Sequence, residues 1–253
     1  MSLHIPDLVP RPLVQETPVA IVCNGSTLGV MMASPTDLKD FAIGFALTEG
    51  LVEKACELED LEVIHHDIGV EARFWLKGDA AAVLAARQRA LIGPVGCGLC
   101  GIDSLAKVDR ALPRLPDGSL RLPLTEVCGA PAKMRAYQPE HDRTRACHAA
   151  GFFRQDVGIV VAREDVGRHN ALDKLAGAIA QAEEDPATGA VVLTSRVSTE
   201  MVQKTVAMKV PMLIAVSGAT DYALRLAERA NLTLVTRTRG GRCEVLVAPQ
   251  RVI

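Results

Sequence analysis

Apolar and polar positions alternate in short runs at the start of the chain. The runs at 19–23 and 27–32 flank Asn24-Gly25, a pair that tolerates left-handed backbone and so predicts two strands joined by a hairpin turn. Ser34-Pro35-Thr36-Asp37 then predicts a helix start, with Ser34 as cap and Pro35 in the first helical position. Leu38, Phe41, Ala42 and Phe45 share one face of that helix, and Gly50 can end it. The runs at 61–64 and 70–76 predict a second strand pair, and the alanine-rich stretch 79–91 a helix. Proline and glycine crowd residues 113–123, the best linker candidate. Beyond it, apolar strands at 159–162, 191–194, 212–216 and 232–236 alternate with helical stretches at 171–183, 199–208 and 222–229. That rhythm predicts βαβ units and a mostly parallel sheet covered on both faces. The expected organisation is α/β, with a smaller mixed α+β N-terminal region at 1–112 and a C-terminal α/β domain at 124–253.

Composition narrows the function. At 253 residues the chain can bury roughly 75% of its unfolded surface, so it needs no staple to fold. Only 3% of residues are aromatic, which argues against base-stacking on single-stranded nucleic acid. A net charge of -2 exerts no global pull on nucleic acid or anionic membrane, so any anion site must come from local clustering. No apolar run approaches the ~20 residues of a spanning helix, and the proline-rich start does not resemble a signal peptide. Seven cysteines, an odd number, predict reduced thiols and a cytoplasmic protein.

The sharpest chemical signal is Gly93-Pro-Val-Gly-Cys97-Gly-Leu-Cys100-Gly101. Two thiols three positions apart can share a proton, a metal or a disulfide, and the flanking glycines leave the sulfurs unshielded on a movable backbone. A structural zinc site would need a second such pair, and a deaminase-type site His-x-Glu; neither exists, so no metal site is expected. Thioredoxin-like exchange would place the pair at a helix start after a strand, whereas here an alanine-rich helix precedes it. Persulfide carriage fits better: it needs one accessible thiolate, a loop that visits donor and acceptor, and a second thiol to assist release.

Polar residues also gather where strands end. Asp165, Arg168, His169 and Asn170 follow the strand at 159–162, Thr194-Ser195-Arg196 and Ser217-Gly218-Ala219-Thr220 follow the next two, and Arg237, Thr238, Arg239, Gly240, Gly241 and Arg242 follow the last. Ligands of open α/β sheets bind at such ends, and arginine forks around glycines suit phosphate. The plainer reading of the last run is a charged hairpin turn.

Together these segments resemble the FdhD family of sulfurtransferases, which mature formate dehydrogenases. The matching stretches are SPTDLKDFAIGFALTEG, GCGLCG, EDVGRHNALDKLAG, SRVSTEMVQK, VPMLIAVSGAT and AERANLTLVTRTRGGR, in order along nearly the whole chain. The resemblance implies a three-layer α/β/α cytidine-deaminase-like fold without the deaminase zinc, a homodimer, and a mobile loop carrying the active cysteine. It implies that a cysteine desulfurase loads Cys97 as a persulfide, with Cys100 beside it. The sulfur then passes to the metal of bound Mo-bis(molybdopterin guanine dinucleotide), or its tungsten form, for use by a formate dehydrogenase. It places that cofactor on residues 237–242, where a guanine nucleotide such as GDP can also sit. Two departures stand out: Thr144-Arg145-Ala146-Cys147-His148 replaces Thr-Gly-Gly-x-His, and Arg237 replaces a common aromatic residue. A non-catalytic cofactor chaperone is the competing reading.

Overall fold

The computed structural model describes residues 11–77, 112–118 and 120–253. The predicted helix at 79–91 and the Cys97–Cys100 motif lie outside those residues.

The first hairpin forms as expected. Strands β1 (Thr17–Cys23) and β2 (Ser26–Ala33) pair antiparallel, and Asn24 and Gly25 both take positive φ (50° and 75°). Strands β3 (Leu58–His66) and β4 (Gly69–Leu76) form the second pair, and β4 docks parallel on β1 to give a four-stranded sheet ordered β2-β1-β4-β3. Helix α1 (Leu38–Thr48) closes one face of it, burying Leu38, Phe41, Ala42 and Ala46 against Ile21, Ala72 and Phe74. The helix begins later than its cap signal predicts. Asp37, in left-handed backbone at φ 54°, is the N-cap, because Ser34 is engaged elsewhere by long-range hydrogen bonds.

The second sheet is ordered β10-β9-β8-β7-β5-β6. It contains β5 (His148–Arg154), β6 (Gly158–Asp165), β7 (Ala190–Leu193), β8 (Met212–Ala215), β9 (Thr233–Arg239) and β10 (Arg242–Val247). Only β7, β8 and β9 pair parallel; β5 runs antiparallel between β6 and β7, and β10 antiparallel beside β9. The sheet is therefore mixed rather than mostly parallel. Strands β5 and β10 are the elements the alternating rhythm could not supply, since both pair antiparallel and neither closes a βαβ crossover.

Two-residue periodicity splits the buried side chains of this sheet cleanly between its faces. Phe152, Val191, Leu193, Leu213 and Leu234 pack under α4 (Arg168–Gln181), α5 (Thr199–Ala207) and α6 (Asp221–Ala230). Phe153, Val192, Met212, Ile214 and Val235 pack under α2 (Leu124–Met134). Helix, sheet, helix: the C-terminal part is three-layered. A short helix, α3 (Pro139–Thr144), leads into β5. The proline-rich stretch predicted as a linker is tied to the C-terminal part: Leu115 N donates to Ala230 O, and buried Arg251 donates to Pro116 O.

The N-terminal sheet reaches this unit through α1, which crosses α4 at a pair of glycines. A methyl group on Gly44 would lie 1.6 Å from Asp173 O, and one on Gly177 2.0 Å from Asp40 O. Neither obstacle is a side chain that can swing away. Gly44→Ala is expected to destabilise the protein by roughly 3 kcal/mol through overpacking. Gly129→Ala, in α2 with nothing within 4 Å, should be neutral or stabilising by up to about 1 kcal/mol. Denaturant midpoints of the two variants moving in the same direction would refute this account of the crossing.

Candidate functional site

The loops after β6, β7, β8 and β9 lie side by side at one end of the second sheet. A parallel bridge joins Val197 to Ala219, with Val197 N donating to Gly218 O and Thr220 N to Val197 O. Arg237 N donates to Ser217 O, and the Arg237 guanidinium lies beside Gly218, its Nε 3.8 Å from where a methyl group would stand. The loop opening α4 joins through His169, whose Nε2 is 2.7 Å from Glu200 Oε2 on α5. Polar residues far apart in sequence thus share one edge, as expected at strand carboxyl ends.

The turn from β6 into α4 is organised around one buried carboxylate. Asp165 Oδ1 accepts from Gly167 N at 2.8 Å and Asn170 Nδ2 at 2.9 Å. Its Oδ2 accepts from Ser34 N at 2.9 Å and Lys174 Nζ at 2.6 Å. Ser34 accepts in turn from Lys174 Nζ through its carbonyl and from Val166 N through its hydroxyl. Asn170 also donates to Met32 O. Asp165 and Asn170 therefore bind the N-terminal part to the loop, leaving Arg168 and His169 as the members of that run directed elsewhere. Neither Ser34 nor Lys174 stands out in the sequence as a site residue. The partners of Ser34 are 131 to 140 positions away, a separation no local pattern reports.

A second buried knot lies one turn along α4. Lys204 Nζ meets Thr48 Oγ1 at 3.0 Å, Glu49 Oε1 at 2.7 Å and Asp173 Oδ1 at 2.9 Å, while Thr48 donates to Asp173 at 2.6 Å. Burial alone would lower the Lys204 ammonium, but the carboxylates of Asp173 and Glu49 outweigh it and its pKa is raised.

Of the other predicted site residues, Ser195 is buried and its hydroxyl donates to Arg196 O. In the β9–β10 hairpin, Gly240 and Gly241 form the turn with φ 60° and 74°, a conformation that favours glycine. Arg239 and Arg242 are register partners across it, both exposed and without a carboxylate partner among the described residues. Arg237 is held by Glu244 through Nη1, at 2.9 and 3.0 Å. Thr238 is buried between them, and its hydroxyl has no partner among the described residues; nor have Arg168 Nε and Glu200 Oε1. Glu200 is a polar member of this edge that sequence reading overlooks, because it looks like an ordinary charge in the first turn of α5.

His148 opens β5 beside Asp165. Burial lowers its pKa, and the charges of Arg168, His141 and His169 act in the same direction. A histidine depressed in the folded state is neutral there while its unfolded counterpart, with a pKa of about 6.5, takes up a proton. Its contribution is therefore intact above pH ~6.5 and is lost as pH falls through the folded value. His148→Gln is expected to flatten the acid limb of a stability–pH profile below about pH 6.5. An unchanged slope would exclude His148 as its source.

A cavity of about 470 Å³ lies elsewhere, where Asp37, Tyr137, Arg143 and Glu164 surround the outer edge of β6. Glu164 is occupied there, accepting from the N–H groups of Glu140 and His141 at 2.7 Å each. Among the described residues no three histidine, cysteine, aspartate or glutamate side chains converge to hold a metal ion, and no helix is long and apolar enough to cross a membrane.

Known proteins share this arrangement over most of its length. The model of the FdhD/NarQ family matches residues 14–253. The chain belongs to the FdhD/NarQ family. A relative named sulfur carrier protein FdhD from Agrobacterium fabrum is 43% identical over 243 residues, covering 96% of this chain and 90% of its own. The protein of the same name from Cupriavidus necator is 44% identical over 246 residues, covering 97% and 85%. The crystal structure of a Desulfotalea psychrophila chain, named as a formate dehydrogenase accessory protein, superposes with a TM-score of 0.73 at 26% identity. It covers 95% of this chain and 90% of its own.

Proposed function

We propose that this FdhD/NarQ protein is a sulfurtransferase that carries sulfur on Cys97 and delivers it to a molybdenum or tungsten cofactor destined for a formate dehydrogenase. The reading rests on one observation above the others: a full-length match to relatives named as sulfur carriers, in a chain that keeps two thiols in a glycine-flanked Cys-x-x-Cys. In the loading step the Cys97 thiolate attacks the outer sulfur of a cysteine desulfurase persulfide. The donor's S–S bond breaks, its cysteine leaves as thiolate, and Cys97 holds the transferred sulfur. In the release step the Cys100 thiol attacks Cys97, forming a disulfide and freeing the outer sulfur as hydrosulfide. The Cys97 and Cys100 sulfurs supply the two electrons as they become the disulfide, and two equivalents of a cellular thiol reduce it back to the thiol pair.

The cofactor is substrate here, and its phosphates fit the β9–β10 hairpin. Arg239 and Arg242, without a carboxylate partner among the described residues, stand on either side of a turn whose glycines let backbone approach, and Ser217 and His169 lie along the same edge. A guanine nucleotide would use the same groups. The reading further implies a cytoplasmic homodimer with no nucleic-acid or membrane partner.

The test is mass spectrometry after incubation with a cysteine desulfurase and cysteine. A gain of about 32 Da, one sulfur atom, is expected on the Cys97 peptide and is reversed by reductant. Sulfur on another cysteine, with Cys97 unmodified, would overturn the assignment.

A further inference from the structure

Two cysteines outside the proposed carrier loop face each other across the sheet's α2 side. Cys128 on α2 and Cys243 on β10 are 115 residues apart in sequence, yet their sulfurs are 2.6 Å apart, leaving no room for anything between them. The approach is built into the strand. The register of β10 on β9 shifts between Arg242 and Glu244, where two residues of β9, Arg237 (φ 50°) and Thr238, stand opposite the single Cys243; such a bulge in β9 bends and twists the strand pair at this point. Cys243 packs with Val245 on the α2 side, among Val127, Ala130 and Met134, while Cys128 is buried and Cys243 half-buried.

We propose that Cys128 and Cys243 are a modification site, a dithiol that a peroxide-class oxidant closes into an intramolecular disulfide. The more accessible Cys243 meets the oxidant first. Its sulfur attacks one peroxide oxygen, the O–O bond breaks, and a sulfenic acid and water result. Cys128 then attacks that sulfur, the S–S bond forms, and the hydroxyl leaves with the Cys128 proton as a second water. Two thiols lose two electrons and two protons, and one peroxide becomes two waters.

This chemistry is separate from sulfur carriage. Burial and the neighbouring Cys128 push the Cys243 thiol up to about 12, so it lacks the thiolate that accepting sulfur requires, and its oxidation is slow at neutral pH. The disulfide would staple α2 to the strand leaving the Gly240–Gly241 turn, and so hold the Arg239 and Arg242 pair. The cross-link itself is independent of what that turn binds.

The test uses the full chain carrying Cys97→Ser and Cys100→Ser, so that the loop thiols cannot intervene. Hydrogen peroxide is added and quenched, the protein is denatured and alkylated, and a digest is read without reduction. The expected product joins the peptides of residues 128 and 243, is about 2 Da lighter than the two thiol peptides together, and separates on reduction. The oxidised protein should also melt at least roughly 5 °C higher, because the bond closes a long loop. Cys128→Ala and Cys243→Ala should each abolish the joined peptide. Both residues recovered alkylated or singly over-oxidised, or either joined to Cys23, Cys56 or Cys147, would overturn the proposal. The same peptide map on the wild-type chain, which needs no variant to fold, must give the same linkage.

Discussion

Asp165→Ala is expected to lower the stability by about 3–5 kcal/mol, because it strands a buried charge. Asp165 and Lys174 are both 0% exposed. Removing the carboxylate leaves the Lys174 ammonium with Ser34 O as its remaining acceptor, and leaves Ser34 N and Gly167 N without theirs. For a chain of this size the change corresponds to roughly 10 °C or more in Tm. The reasoning makes a sharper forecast for the double variant. Asp165→Ala combined with Lys174→Met removes the orphaned charge as well as its partner and should recover a large part of the loss. Thermal melts of the three proteins decide the matter. A single variant within about 2 °C of wild type would show that the carboxylate is not the organiser of the turn. A double variant no better than the single would show that backbone hydrogen bonds, rather than the lysine charge, carry the effect.

Cys97→Ala is expected to abolish both the persulfide and the activation of a formate dehydrogenase, a fall of roughly 100-fold or more, since no other group can replace a nucleophilic thiolate. The fold should be untouched, with the wild-type Tm. Cys100→Ala is expected to keep the 32 Da gain on Cys97 and to slow delivery. Guanine nucleotide binding provides the contrast: it should survive Cys97→Ala and weaken on Arg239→Ala or Arg242→Ala. Full activation of the dehydrogenase by Cys97→Ala, with cofactor binding intact, would instead establish a chaperone that holds cofactor without transferring sulfur.

How much was legible beforehand depended on the range of each interaction. The Asn24-Gly25 hairpin could be read directly, because positive φ at two adjacent residues is a local demand with few chemical solutions. The helices at α4, α5 and α6 and the strands at β6 to β9 followed from periodicity, which reports the solvent-facing pattern of a single element. Strand β5 did not follow, and with it went the mixed character of the sheet, since direction is set by the partner and not by the strand. Ser34 shows the failure most clearly. Its position before Pro35 and Asp37 is a good local cap signal, yet three long-range hydrogen bonds to Asp165, Val166 and Lys174 outweigh one capping bond. Glu200 escaped notice for the same reason: what distinguishes it is a histidine 31 residues away.

The chain by itself determined its kinship and carries the residues of the proposed chemistry. The Cys97–Cys100 spacing, the glycines around it and the arginines flanking Gly240-Gly241 are properties of neighbouring residues, and a linear pattern carries them in full. Only the tertiary structure decided which polar groups are free to meet a ligand and which are consumed in joining the N-terminal sheet to α4. Burial makes that choice. The Asp165 carboxylate enters the interior with both oxygens matched to donors, and those donors come from whichever segments the packing of α1 on α4 brings near.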